Sequence, residues 1–209
     1  MPISRRLLLG ALPVAAFAPR LVRAEGDPRL GLRAVGSPDA PVTVLEFYSL
    51  TCSHCARFAR DTLPQVQKQL IDPGKVRLEY REFPLDQVAL AASLVARALP
   101  PKLYEPFVLS LLASQDQWAF ARGINYKEEL WKRAALAGMS RATFDATLGD
   151  IKLRDDLLKM QDEDAKTYHI DSTPSFIFNG PTEKGVLKSG EMTYDTFAGL
   201  VAQVSGGKG

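Results

Sequence analysis

The chain contains two cysteines, Cys52 and Cys55, and they sit in a single short motif, Thr51-Cys52-Ser53-His54-Cys55. The motif begins just after Val42-Thr43-Val44-Leu45-Glu46-Phe47-Tyr48, a run bounded by Pro41 and Ser49. That run is almost continuously apolar and rich in β-branched and aromatic residues, the pattern of a strand buried on both faces. After the cysteines, Ala59, Leu63, Val66 and Leu70 recur at helical spacing, with Pro64 placed to kink or restart the helix. Asp72-Pro73-Gly74 makes a turn, and Val76, Leu78 and Tyr80 then alternate with Arg77, Glu79 and Arg81 as a second strand should. A strand, helix and strand joined this way require a parallel pair with a crossover helix. A CxxC beside such a unit is a redox signature.

The chemistry follows from the spacing. Two sulfurs three residues apart can close a small ring at the first turn of a helix, where backbone N–H groups lack partners and favour an anion. In such settings a cysteine pKa drops from ~8.5 to roughly 3.5–7.5. Cys52 is the expected nucleophile and Cys55, one turn deeper, the resolving thiol. Ser53 and His54 can add hydrogen bonds or positive charge. The competing reading is half of a zinc site. Closed zinc sites take four ligands, whereas the chain offers one CxxC and two histidines, one of them inside the motif. No metal is expected.

Residues 25–40 read as a loop rich in Gly, Pro and Asp. From 85 to 168 the pattern is helical, with expected helices over 86–98, 102–114, 126–137, 140–148 and 151–168. Trp118, Phe120 and Trp131 are read as core of this block, and His169 as a helix-end residue. Ser175-Phe176-Ile177-Phe178 and Gly185-Val186-Leu187-Lys188 then form a hairpin, followed by a helix from Thr193 to Val204. The expected fold class is α/β, β-α-β then β-β-α, with an all-helical insertion between the halves. The divisions are 1–24 as a signal peptide, 25–84 and 169–209 as one folded unit, and 85–168 as the insertion.

The formal net charge is +2, but residues 1–24 hold four arginines (Arg5, Arg6, Arg20, Arg23) and no acid. Without them 22 basic side chains face 24 acidic ones, about −2. That balance offers nothing to a nucleic acid. Arg5-Arg6, the apolar stretch Leu7 to Ala18 and Val22-Arg23-Ala24 read together as an export signal with a cleavage site. A membrane anchor needs about 20 apolar residues, and Pro13 and Pro19 interrupt this stretch. Ser4-Arg5-Arg6-Leu7-Leu8-Leu9 also resembles a twin-arginine signal. The expected location is periplasmic.

With these surroundings the chain resembles the DsbA-like thiol:disulfide oxidoreductases, exported proteins with a thioredoxin fold and a helical insertion. The resemblance rests on Val42 to Tyr48, on Cys52-Ser53-His54-Cys55 and on Ser172-Thr173-Pro174-Ser175-Phe176. It departs at Ser53, where the family typically has proline. Glu46 is open to two readings, because a carboxylate in an apolar strand costs free energy unless solvated or paired. It is either a solvated strand-end residue or, as the resemblance implies, a buried acid beneath the CxxC that influences proton transfer at Cys55. The resemblance also implies a cis peptide between Thr173 and Pro174, with the proline against the disulfide and Thr173 offering its backbone to an extended substrate. It further implies donation of the CxxC disulfide to reduced or unfolded exported proteins through a mixed disulfide at Cys52. Regeneration by a DsbB-type quinone-linked membrane oxidase, a monomeric state and no organic cofactor complete the expectation. Rivals are a reductase or isomerase on the same fold, and a non-enzymatic metal-binding or holdase protein. The short stretch before the first strand leaves no room for the dimerisation domain that such isomerases carry.

Overall fold

The computed structural model describes residues 26–207. The expected signal segment, 1–24, lies outside the described residues. In chain order the elements are β1 (Ala34–Val35), β2 (Val42–Tyr48), α1 (Ser53–Arg57), α2 (Leu63–Val66), β3 (Val76–Glu82), α3 (Gln87–Ala98), α4 (Pro101–Ala113), α5 (Gln115–Trp118), α6 (Tyr126–Leu136), α7 (Arg141–Leu148), α8 (Ile151–Tyr168), β4 (Ser175–Asn179), β5 (Val186–Ser189) and α9 (Tyr194–Val204). The strands form one sheet in the order β1-β3-β2-β4-β5. β2 and β3 are parallel, and β1, β4 and β5 each run antiparallel to their neighbour. This is the thioredoxin fold interrupted by a helical insertion between its two halves.

The centre of the sheet is β2, bonded to β3 on one side and β4 on the other. Alternation along the strand sends Val44 and Tyr48 to one face, where they join Leu78, Tyr80, Phe176 and Phe178 in the larger core. Leu45 and Phe47 point to the other face and pack with Ile177, Phe83 and Ile170. Burial on both faces is why β2 is apolar at five of its seven positions. The helix after the cysteines does not stop at Pro64. That proline starts α2, and the turn before it, Phe58–Thr62, widens to a π-helix, as does Gln67–Ile71 after it. Proline has no N–H to donate and crowds the preceding turn, so a wider turn lets the helix continue.

β1 and α5 were not expected. β1 adds two residues to the free edge of β3 within the stretch read as loop. Trp118 is fully buried, with its indole N–H donating to the Leu111 carbonyl at 2.8 Å. Phe120 is 56% exposed and so does not belong to the core, contrary to expectation. His169 ends α8 in the left-handed conformation, at φ 57°. Under the sheet, Arg97 of α3 forms a buried ion pair with Glu82 of β3. The Tyr104 hydroxyl donates to the same carboxylate at 2.5 Å and lies 2.6 Å from the Tyr48 hydroxyl. This network fastens α3 and α4 of the insertion to β2 and β3. Among the described residues, no helix is long and apolar enough to cross a membrane.

Candidate active site

β2 delivers its last residue, Tyr48, into the turn that carries the cysteines. The Cys52 amide donates to the Ser49 carbonyl at 3.1 Å. Thr51 donates its hydroxyl to Asp86 at 2.7 Å, and Asp86 also caps α3 by accepting from the Ala89 amide at 2.8 Å. Gln115 of α5 reaches in from the insertion and donates to the carbonyls of Leu50 and Cys52 at 2.9 and 3.0 Å. The turn is therefore held by two groups of the insertion, the cap of α3 and the start of α5.

Cys52 is the N-cap of α1, in extended conformation, and its sulfur accepts the Cys55 amide at 3.4 Å. Both cysteines are free thiols in the structure. Cys52 keeps 7% of its surface exposed and Cys55 none. Hydrogen bonding to the Cys55 thiol brings the Cys52 pKa down to about 5. Partial burial opposes this, and the Cys55 and His54 amides add to it. Burial, and then the Cys52 sulfur beside it, pushes the Cys55 thiol well above its ordinary range. The environment thus splits two identical groups into a ready thiolate and a held thiol, the pattern of groups assigned different chemical tasks.

Across from Cys52, the Thr173–Pro174 peptide bond is cis. The Cys52 thiol donates to the Thr173 carbonyl oxygen at 3.3 Å, while the buried Thr173 hydroxyl has no hydrogen-bond partner. The sulfur thus meets the backbone that precedes β4. The Pro174 carbonyl accepts the Gly190 amide at 2.8 Å, tying this loop to the far end of β5.

Glu46 lies in the middle of β2 with 2% exposure, so the solvated strand-end reading is excluded. Its register partners are Tyr80 on β3 and Phe176 on β4. Burial, reinforced by the nearby charge of Glu105, raises its pKa to about 8. Its Oε2 has no partner, and its charge is one of the influences that raise Cys55.

The His54 ring pairs with Arg57 and Glu191. The imidazole is exposed, and the Arg57 guanidinium, which can only donate, gives a hydrogen bond to its Nδ1 at 2.6 Å. Glu191 draws both side chains outward, with its carboxylate 3.4 Å from the imidazole and 2.7 Å from Arg57 Nε. What His54 lends to Cys52 is its backbone amide. The structure therefore brings Cys52, Cys55, Thr173 and Pro174 together, sets Glu46 beneath them, and places the His54 ring beside Arg57 and Glu191. Gln115 and Glu191 escaped the sequence reading because each reaches the site from a distant segment and belongs to no motif, and Arg57, two residues after Cys55 on α1, because it lies just outside the CxxC. Among the described residues, no group of three or more His, Cys, Asp or Glu side chains is arranged to hold a metal ion.

Residues 30–201 match the family model described as Thioredoxin. The crystal structure of Wolbachia pipientis alpha-DsbA1 superposes with a TM-score of 0.76 at 26% identity, covering 85% of this chain and 92% of that one. Oxidised BdbD from Bacillus subtilis, at 21% identity, shares the fold with a TM-score of 0.71, over 83% of this chain and 92% of its own. A Rickettsia typhi protein with the provisional name protein-disulfide oxidoreductase is 31% identical over 147 residues. That alignment takes in 70% of this chain and 54% of the relative, so the chain spans about half the length of the curated relatives it matches.

Proposed function

The chain belongs to the thioredoxin family and is DsbA-like within it, and from that premise we propose that it is an exported thiol:disulfide oxidoreductase that donates the Cys52–Cys55 disulfide to newly secreted proteins. The observation that carries this reading is the asymmetry of the pair. Cys52 sits at the surface end of α1, facing the cis Thr173–Pro174 loop, and Cys55 is fully buried behind it.

In the oxidised protein a substrate thiolate attacks the Cys52 sulfur. The Cys52–Cys55 bond breaks, Cys55 leaves with the electron pair, and a proton supplied through Glu46 converts it to the thiol. A second substrate thiolate then attacks its own sulfur in the mixed disulfide and expels Cys52 as a thiolate. The substrate loses two electrons and two thiol protons, and the CxxC pair gains the electrons. A low-pKa sulfur is the better leaving group, so depressing the Cys52 pKa favours donation over retention. Thr173 and Pro174 form the platform on which the extended substrate backbone lies. No organic cofactor is needed, because the cysteine pair holds the electrons. Reoxidation calls for an acceptor such as a DsbB-type quinone-linked membrane oxidase. Residues 1–24 act as the signal peptide that takes the chain to the periplasm. The mature protein works as a monomer in which 25–84 and 169–209 form the thioredoxin unit and 85–168 the insertion.

The test uses reduced, unfolded ribonuclease as substrate. Oxidised protein should restore ribonuclease activity, with one CxxC disulfide consumed per bond formed. Cys52→Ser should abolish this, and Cys55→Ala should accumulate the mixed disulfide. A reduction potential near the thioredoxin value of about −270 mV would overturn the donor reading in favour of a reductase.

A further inference from the structure

The reduced site has one weakness that the oxidised site lacks. In the oxidised protein the Cys52–Cys55 bond closes a ring over residues 52–55 and restrains the backbone at Cys52. When exchange opens that bond, the Cys52 sulfur keeps only weak contacts, the Cys55 amide at 3.4 Å and the Thr173 carbonyl at 3.3 Å. Cys52 must nonetheless stay in the extended conformation of an N-cap, with φ −83° and ψ 118°, because there its sulfur meets the open amides of α1.

The grip on that backbone comes from the insertion. Gln115 is 7% exposed, and its side-chain nitrogen donates to the Leu50 carbonyl at 2.9 Å and the Cys52 carbonyl at 3.0 Å. A side-chain amide nitrogen carries two N–H groups, and both are spent on this turn. The Cys52 carbonyl also accepts the Ala56 amide at 3.1 Å, the first bond of α1, so its direction is set from two sides. Holding a carbonyl in place holds the ψ angle of its residue, and at Cys52 that angle decides where the sulfur lies relative to the Cys55 amide. Leu50 is fully buried, and among the described residues no backbone amide reaches its carbonyl. Gln115 is itself well anchored. Trp118, on the same short helix, is fully buried and fixed by its indole N–H to the Leu111 carbonyl at 2.8 Å. A donor on a packed element places its partner more precisely than one on a loop. The other ties to the turn run through hydroxyls, Thr51 to Asp86 and the Leu85 amide to Ser49 Oγ, and leave the Cys52 carbonyl untouched.

We propose that Gln115 is a positioning residue of the reduced site, holding the Leu50 and Cys52 carbonyls so that Cys52 keeps its N-cap conformation once the disulfide has opened. Gln115 bonds neither sulfur. Its contribution falls mainly on the reduced form, because the ring imposes the same restraint on the oxidised one. An interaction that stabilises the reduced form alone makes the pair more oxidising. The inference rests on the proposed disulfide exchange and deepens it: through one glutamine, the insertion tunes the pair.

The experiment compares wild type with Gln115→Met, which keeps the side-chain length and removes both donors. Gln117→Met, an exposed change on the same helix, is the control. Each full-length variant is equilibrated with glutathione redox buffers, assayed for the pH dependence of Cys52 alkylation by iodoacetamide, and melted in both redox forms. Gln115→Met should lower the equilibrium constant for reduction by glutathione about tenfold, the upper end for one lost hydrogen bond, which is a potential about 30 mV more negative. The alkylation midpoint should rise by up to about one pH unit. The melting temperature of the reduced form should fall further than that of the oxidised form. Gln117→Met should match wild type in all three readouts. Equal losses of melting temperature in both forms, with potential and midpoint unchanged, reduce Gln115 to packing and overturn the inference. A Gln115→Met protein that folds in neither form overturns it too, since the loss then falls on the oxidised form as well. If the wild-type potential lies near that of thioredoxin, the donor reading falls, while the difference between wild type and Gln115→Met still decides the role of Gln115.

Discussion

Reduction of the CxxC pair should alter the protein's stability in a pH-dependent way whose size follows from the site. In the reduced protein Cys52 has a pKa of about 5, against an ordinary 9.0. A folded-state pKa below the unfolded value adds stability that is complete above the unfolded pKa and is lost as pH falls through the folded one. At pH 7 the gain spans two pH units, about 2.7 kcal/mol at 1.36 kcal/mol per unit. Below pH 5 it vanishes. Water beside this near-surface sulfur screens part of the effect, and with half the depression the gain at pH 7 is only about 0.4 kcal/mol, the lower figure. The oxidised form has its own advantage, because closing the four-residue ring restricts the unfolded chain by about 1.9 kcal/mol on the chain-entropy estimate. Balancing the two puts the pH of equal stability at roughly 6.4 with the full depression and roughly 8.4 with half of it. Below the crossing the oxidised protein melts higher, and above it the reduced protein does. Glu46 titrates in both forms and largely cancels from the difference. Cys55, with its pKa raised, stays a thiol over the same range. Thermal melts of both forms at pH 5, 6, 7, 8 and 8.5 measure the crossing. The ultraviolet absorbance of the thiolate gives the Cys52 pKa independently. A stability difference that stays flat from pH 5 to 8.5 would refute the thiolate account, and with it the reason for casting the disulfide as a donor.

Two further outcomes bear on single residues. Burial raises the Glu46 pKa to about 8, so the fold loses stability as pH climbs from the ordinary carboxyl value of 4.5 through 8. At pH 7 that loss reaches up to about 3 kcal/mol. Glu46→Gln should therefore melt higher than wild type at pH 7 and equally at pH 4, while slowing thiol exchange; equal melting at pH 7 would contradict a buried carboxyl. His54→Ala should move the Cys52 pKa by less than about half a unit, because the exposed imidazole pairs with Arg57 and Glu191 and its charge is screened. A rise of a full unit, read by thiolate absorbance, would put the ring back on the sulfur.

The parts of this molecule that sequence periodicity exposes are those held by continuous apolar surface. Val42 to Tyr48 is apolar but for Thr43 and Glu46 because both faces of β2 are covered, and β4 is buried in the same way. β1 escaped because two residues at a sheet edge carry no period. Phe120 was misplaced because an aromatic in an apolar block says nothing about which way it faces. His54 shows the same limit at the site, since adjacency to Cys52 in the chain does not fix the direction of its ring. The Arg97–Glu82 pair left one faint mark, an arginine in the run Val88 to Ala98, which is otherwise apolar but for Ser93. Gln115 left none, since a glutamine 63 residues from the Cys52 carbonyl it binds is ordinary in composition.

What unites the site is that one strand supplies two of its demands. β2 carries Glu46 at its buried centre and runs directly into the turn that makes Cys52 an N-cap. The distance between the acid and the cysteines is therefore set by strand rise and helix geometry, not by flexible loops. The same continuity explains the opposite fates of the two thiols. Cys52 lies at the helix margin, within reach of amides and the Thr173 carbonyl. Cys55, one turn on, falls over the apolar face that also holds Glu46. A residue inserted between Tyr48 and Cys52 would rotate that helix start and part the nucleophile from Thr173. It would also move Cys55 off the carboxyl that serves it.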